Sequence, residues 1–318
     1  MNNIMSNVIT GSKMLAHLDR IFGEQRPITA DIFLNNYCNN DCPYCAYRRW
    51  ELDAGARSMP FSDFVTYAKR MKELGVLGFI LSGGGEPSIA KDFDKIIAWL
   101  DDNDYKWGIN TNFNRFFYGK PEYLKVSLDA YDRDSYILNR GVDAYVNVRD
   151  NIMRFAEAKD PKTKLGIQLL AKKPEHVFRF YDGNKDLPVD YISIRPVEST
   201  SGRYYKEHDN YQAVVDAIKQ VQTMDDRVLM NYKWNMLGMQ ECKCIAQWSQ
   251  IAVNEIGEVM YCCHKPYQIV GHIMDADILE KKRKADTDMV MCDIPCRLTA
   301  PNRTVSKILE HQTNAEFI

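Results

Sequence analysis

Extended and helical patterns alternate from about residue 30 to about residue 222, and nothing else in the 318 residues restricts the fold so strongly. The stretch ADIFLNN reads as a strand ending at the first cysteine group. Ser62 is expected to cap the helix DFVTYAKRMKELG, which Gly75 closes, because glycine accepts the left-handed turn that ends a helix. VLGFILSG, YKWGIN, YLKVSLD, TKLGIQLL and VDYISIRP read as further strands. FDKIIAWLDD, VNVRDNIMRFAEAK and YQAVVDAIKQVQ read as helices by their apolar spacing. About six strands separated by helices predict an α/β fold with a parallel sheet and helices outside, an open partial barrel rather than a closed eight-stranded one.

In such sheets ligands bind at the C-terminal edge of the strands. Polar residues fall at those ends: Asn35, Ser82, Asn110, Ser127, Asp129, Gln168 and Arg195. Any one of them can mean only that a loop follows. The same edge also carries a cysteine loop, which makes a shared site the stronger reading. After about residue 225 helical patterns give way to short segments. The expected division is a helical extension over 1–28, the barrel over 29–224, a small cysteine-rich domain over 225–300 and a tail over 301–318. KKRKAD at Lys281–Asp286 reads as a solvated turn or helix face.

The nine cysteines fall in two groups, Cys38, Cys42 and Cys45, then Cys242, Cys244, Cys262, Cys263, Cys292 and Cys296. A secreted disulfide framework usually sits in a short chain behind a signal peptide. This chain is long, and its first residues hold no continuous apolar run of that type. Metal or redox chemistry is the better reading, and a cytoplasmic location is expected. No stretch reaches membrane-spanning length, so no membrane partner is expected, and a net charge of −2 gives no support for a nucleic acid partner.

In the first group, Asn36-Tyr37-Cys38-Asn39-Asn40-Asp41-Cys42-Pro43-Tyr44-Cys45, three thiolates on one loop can hold three irons of a 4Fe–4S cluster. The fourth iron then stays open to a small molecule. Zinc with a fourth ligand from elsewhere is the competing reading. The string Cys38-x₃-Cys42-x₂-Cys45 with Tyr44 before the last cysteine resembles the signature of the radical S-adenosylmethionine (radical SAM) superfamily. Over most of residues 30–200, Gly83-Gly84-Gly85-Glu86-Pro87, Asn110-Thr111-Asn112, Val126-Ser127-Leu128-Asp129 and Arg140-Gly141 resemble further segments of that family, in the family's order.

The resemblance implies a partial (β/α)6 barrel of radical SAM type with a small C-terminal cysteine-rich, twitch-like extension. It also implies S-adenosylmethionine bound to a 4Fe–4S cluster on Cys38, Cys42 and Cys45. The backbone at Gly84 and Gly85 and the side chain of Glu86 would meet the cofactor's amino group. Tyr44 would lie beside its adenine, and Asn112, Ser127 or Asp129 near its ribose. Arg140 or Arg195 would pair with its carboxylate, since a guanidinium suits a carboxylate. For either arginine a purely structural ion pair is an open alternative, and Gln168 is a plain polar contact.

In the second group, Cys244 is followed by twelve residues, Gly257, four residues and Cys262. NEIGEV reads as a hairpin turn between the short strands IAV and VMYC. With Cys292 and Cys296 the hairpin supplies four thiolates, enough for zinc or for a closed 4Fe–4S cluster. The element resembles the start of the SPASM domain, or its shortened twitch form, which follows many radical SAM cores. It implies a second, auxiliary 4Fe–4S cluster on Cys244, Cys262, Cys292 and Cys296. Cys242 and Cys263 are left over: inert buried residues, or one of them a hydrogen-atom donor to a substrate radical. His264 stands as a base or alternative ligand, while His176 and His272 read as structural.

The expected function is therefore reductive cleavage of S-adenosylmethionine and hydrogen abstraction from a small polar substrate or short peptide, with oxidation or epimerisation as the outcome. Such an oxidoreductase or epimerase needs a flavodoxin- or ferredoxin-type reductant. The alternative is a non-catalytic iron–sulfur or zinc protein for electron transfer or binding.

Overall fold

The computed structural model describes residues 16, 17, 20, 26–45, 47, 55–197, 211–231, 234, 244 and 247–287. Most of the expected helical extension over 1–28 and all of the tail over 301–318 lie outside the described residues. Ten strands form one sheet among the described residues, in the order β10-β9-β8-β1-β2-β3-β4-β5-β6-β7. They are β1 (Thr29–Phe33), β2 (Gly78–Ser82), β3 (Trp107–Thr111), β4 (Tyr123–Val126), β5 (Lys164–Ala171), β6 (Tyr191–Pro196), β7 (Val228–Met230), β8 (Gln250–Val253), β9 (Glu258–Cys262) and β10 (Lys265–His272). β1 to β7 run parallel in sequence order, and β8 lies parallel on the other side of β1. β9 and β10 continue from β8 as antiparallel strands.

The helices are α1 (Phe61–Glu73), α2 (Phe93–Asp102), α3 (Arg133–Arg140), α4 (Tyr145–Ala158), α5 (Pro174–Asn184), α6 (Tyr211–Gln222) and α7 (Ile278–Thr287). Their apolar spacing sets which side they bury. On α2, Phe93, Ile96, Ile97 and Leu100 are buried, and on α4, Val148, Ile152 and Phe155. These side chains meet alternate residues of the strands, Leu124 and Val126 on β4 and Ile192 and Ile194 on β6, in one core. Each fully buried residue of this kind contributes roughly 1.5–3 kcal/mol before conformational entropy is charged against it. The opposite residues of the same strands, Tyr123, Lys125, Tyr191, Ser193 and Arg195, are only half-buried. The inner face of the sheet is therefore accessible rather than packed shut.

The α/β architecture with a parallel sheet is thus as expected, and three details differ. Ser62 does not cap α1: Pro60 holds the cap position, and Asp92 accepts the Phe61 N–H at 3.1 Å. β7 lies beyond residue 224 and β8 pairs with β1, so the expected boundary at 224/225 does not coincide with a break in the sheet. Lys282, in the stretch expected to be solvated, is fully buried on α7, its ammonium donating to the Gln247 Oε1 and the Tyr261 carbonyl, both at 2.6 Å. Among the described residues no helix is long and apolar enough to cross a membrane.

Candidate active site

The cysteine loop leaves the C-terminal end of β1, and its backbone is laced to the glycine turn after β2. Gly85 N–H donates to the Asn35 carbonyl and Glu86 N–H to the Tyr37 carbonyl, each at 2.9 Å. The Asn35 side chain returns to the Glu86 carbonyl at 3.0 Å. Position 85 must be glycine for a steric reason, since a Cβ there would fall on the Tyr37 carbonyl. The close approach that this turn allows is thus first of all to the chain's own backbone.

Glu86 is buried, and its carboxylate takes four hydrogen bonds. It accepts from Ser88 N–H (3.1 Å), Ser88 Oγ (2.7 Å), Thr111 Oγ1 (2.5 Å) and Asn112 N–H (2.6 Å). Three of these bonds fall on Oε1 and only the Asn112 N–H on Oε2, so Glu86 fixes the ends of β2 and β3 against each other while Oε2 keeps room for a further donor. Asn112, set by that contact, donates from Nδ2 to Asn39 Oδ1 at 2.6 Å and lies 3.8 Å from Cys38 Sγ. Asn114 holds Asn40 Oδ1 at 2.5 Å.

From the other side the loop is clamped by α3. Asp41 N–H donates to the Arg140 carbonyl at 2.9 Å, with Cys42 Sγ 4.0 Å from the same oxygen. Gly141 ends α3 in the left-handed conformation (φ 73°), and a Cβ there would come within 2.5 Å of the Asp41 carbonyl. The Arg140 guanidinium is buried, paired with Asp129 Oδ2 at 3.0 Å and donating to the Ser127 carbonyl. Asp129 Oδ1 accepts Leu170 N–H at 2.7 Å. Burial works against the Arg140 charge, but Asp129 together with Cys42, Tyr136 and Cys38 outweighs it and raises the guanidinium above its ordinary value. Burial raises the Asp129 carboxyl, opposed by Arg140 and by the Leu170 N–H. Arg140 thus makes the structural ion pair that was one of its two expected roles.

Cys42, Tyr44, Cys45, Asp129, Asn139, Arg140 and Leu170 line one cavity of about 120 Å³. Lys172 Nζ stands over the Tyr44 ring, 3.8 Å from its centroid. Arg195 lies on β6 and donates to Gln168 Oε1 at 3.1 Å. Cys38 is solvent-exposed, yet the protein packed around its thiol still pushes it up, helped by Glu86, Cys42 and Cys45 and opposed by the Asn40 N–H. The Cys42 thiol is likewise raised by burial, against the pull of Arg140. Three thiolates here need a compensating positive charge, which bound iron supplies.

The N-terminal cysteines fit an iron–sulfur cluster by donor chemistry and by placement: three free thiols on one loop, two of them on the wall of a cavity. Among the described residues no three His, Cys, Asp or Glu side chains converge at metal-binding distance. In the second group Cys244, Cys262 and Cys263 are half-buried, whereas Cys242, Cys292 and Cys296 lie outside the described residues. Tyr47, which sequence reasoning passed over, joins the two regions. Its hydroxyl donates to the Cys263 carbonyl at 2.8 Å, and its ring stands edge-on to Phe33 with centroids 5.2 Å apart. Its position two residues past Cys45, among aromatic and basic neighbours, was the available signal. His272 contacts Tyr67 and the Ile256 carbonyl, as befits a structural residue.

Residues 32–176 match the family described as the Radical SAM superfamily. A "Probable GTP 3',8-cyclase" of Saccharolobus islandicus is 26% identical over 202 residues, 60% of this chain and 64% of that protein. The chain thus matches less than two thirds of the length of this curated relative. Among solved structures, native anSMEcpe with bound AdoMet shares the fold at a TM-score of 0.61 and 18% identity, over 81% of this chain and 83% of that one. Streptococcus suis SuiB bound to precursor peptide SuiA gives 0.57 and 14%, over 95% and 72%. The cysteine loop laced to a glycine turn at the C-terminal edge of the parallel sheet lies within residues 32–176, the stretch that matches the Radical SAM superfamily.

Proposed function

We propose that this chain is an S-adenosylmethionine-cleaving enzyme that abstracts hydrogen from a small polar substrate or short peptide, with oxidation or epimerisation as the outcome. The cavity shared by Cys42, Tyr44, Cys45, Asp129 and Arg140 carries the reading, because it sets the cluster loop beside a pocket at the strand edge. A 4Fe–4S cluster on Cys38, Cys42 and Cys45 would supply the electron for reductive cleavage of S-adenosylmethionine beside it. Cys38, Cys42 and Cys45 hold the cluster. The backbone at Gly84 and Gly85 and the side chain of Glu86 take the cofactor's amino group, Tyr44 lies by the adenine, and Asn112, Ser127 and Asp129 border the ribose. Arg140 positions the loop, and Arg195 is the arginine left to meet a carboxylate.

An auxiliary 4Fe–4S cluster on Cys244, Cys262, Cys292 and Cys296 would take up the electron in an oxidation. Cys242 or Cys263 would return a hydrogen atom in an epimerisation. The barrel over 29–224, the cysteine-rich unit over 225–300, a flavodoxin- or ferredoxin-type reductant and a cytoplasmic location complete the proposal. The Saccharolobus relative's name supports a second reading, cyclisation of GTP. Anaerobically purified protein should contain about eight irons per chain with matching sulfide, and should form 5′-deoxyadenosine on reduction. Zinc in place of iron, or no cofactor cleavage, would sink the radical reading. Deuterium passing from labelled substrate into 5′-deoxyadenosine identifies the attacked carbon, solvent deuterium in the product separates epimerisation from oxidation, and conversion of GTP selects the second reading.

A further inference from the structure

Between Cys38 and Cys42 the loop is gripped by a relay of side chains that the cofactor contacts do not use. The Tyr136 hydroxyl donates to Asn114 Oδ1 at 2.8 Å, and Asn114 Nδ2 donates to Asn40 Oδ1 at 2.5 Å. The backbone around Asn114 is itself fixed. Its carbonyl accepts from Asn147 Nδ2 at 2.8 Å, and the Phe113 carbonyl accepts from Asn151 Nδ2 at 2.9 Å. Phe113 is fully buried and stands in the left-handed region (φ 58°), which a bulky residue keeps only where its surroundings hold it. The turn there aims Asn112 and Asn114 at two successive loop residues, Asn39 and Asn40.

The relay ends on a donor that has nothing to donate to. Asn40 Nδ2 is buried and has no hydrogen-bond partner among the described residues. A buried donor left unpaired is costly, so such a group marks a place where an acceptor belongs. Cys42 is near enough to feel it: burial raises that thiol, and Arg140 and the Asn40 amide oppose the rise. The Asn40 backbone N–H already donates to Cys38 Sγ at 3.4 Å. One residue, midway between two cysteines, thus holds a donor for each of their sulfurs. Turning the amide over would set Oδ1 against a thiolate, which is repulsive, so a metal-bound Cys42 selects the orientation seen.

Hydrogen bonds to the sulfurs of an iron–sulfur cluster draw off electron density and favour its reduced form. We propose that Asn40, held by Asn114 and Tyr136, is a positioning residue that donates to the Cys42 sulfur of the bound cluster and raises its reduction potential. This rests on the reading of Cys38, Cys42 and Cys45 as cluster ligands, and not on cleavage of S-adenosylmethionine.

The test is a spectroelectrochemical titration of the anaerobic, iron-loaded protein without S-adenosylmethionine. Asn40→Leu keeps the backbone donor and removes only the amide. At a fixed potential it should lower the reduced-to-oxidised ratio of one cluster about threefold. Asn40→Asp sets a negative charge in place of the donor and should lower that ratio at least tenfold, about 59 mV for a one-electron couple. The couple of a second cluster should not move. Tyr136→Phe removes one oxygen at the far end of the relay and should shift the same couple the same way, by less.

An unmoved couple in both Asn40 variants, a rise in place of the fall, or equal shifts of two couples overturns the proposal. If the Asn40 variants take up iron poorly, Tyr136→Phe decides, and an unmoved couple there overturns it. Zinc in place of iron overturns it together with the radical reading. Absence of 5′-deoxyadenosine, in iron-loaded protein whose potential still depends on Asn40, overturns the radical reading alone.

Discussion

The loop after β1 and the hairpin of β8 and β9 both carry cysteines and both join strand β1, yet different forces hold them. The loop is held by backbone hydrogen bonds to two other turns, through Asn35, Tyr37 and Asp41. Its register is therefore set by main-chain atoms, and side-chain changes nearby act mostly through sterics. The hairpin is held by sheet pairing and by two long side chains, Lys282 from α7 and Tyr47 from the loop. One cysteine region is part of the barrel's edge, and the other is tied on through groups that single substitutions remove.

The comparison is broken hardest at the cysteines. Cys42→Ala should abolish 5′-deoxyadenosine formation, because the initiating cluster loses one of its three ligands. Cys296→Ala should lower iron by about four per chain yet leave reductive cleavage partly intact while turnover of substrate stops. Turnover surviving in the first variant shows that the site is misplaced, and unchanged iron in the second counts against Cys296 as a ligand.

Lys282→Met should cost on the order of 3 kcal/mol of stability, because it leaves the Gln247 amide oxygen and the Tyr261 carbonyl buried without their ammonium donor. Urea unfolding of the two proteins measures it. A loss below about 1 kcal/mol, the net worth of one ordinary hydrogen bond, would mean that water replaces the ammonium, and the hairpin would then be held by sheet pairing alone.

Much of this arrangement could be read from local pattern. α6 and the β8–β9 hairpin follow directly from apolar spacing and from the turn at Gly257. Other features were local but passed over. α3 carries a capping box at Asp132 and Ser135, and α5 begins on Pro174, both recognisable helix starts. The rest depended on distant partners. Pairing of β8 with β1 joins residues more than 200 apart in sequence, a distance that no periodicity encodes. The same holds for Lys282, whose surroundings read as a charge run until Gln247 and Tyr261 are seen around it. For the site, the cysteine motif announced its ligands, whereas the engaged carboxylate of Glu86 became evident only once Thr111 and Asn112 were placed beside it.

The smallest effect tests the link between the regions. Tyr47→Phe keeps the edge-on contact with Phe33 and removes only the hydroxyl that donates to the Cys263 carbonyl. A single neutral hydrogen bond contributes about 1 kcal/mol, so global stability should fall by little more than that. The informative readout is local, because the bond spans the cysteine loop and the hairpin. Amide hydrogen exchange should quicken in residues 258–272 and in residues 34–45 together, about fivefold for 1 kcal/mol. Faster exchange in the hairpin alone would mean that the loop is held without Tyr47, by its bonds to Gly85, Glu86 and Arg140, and that Tyr47 serves only to pin the hairpin.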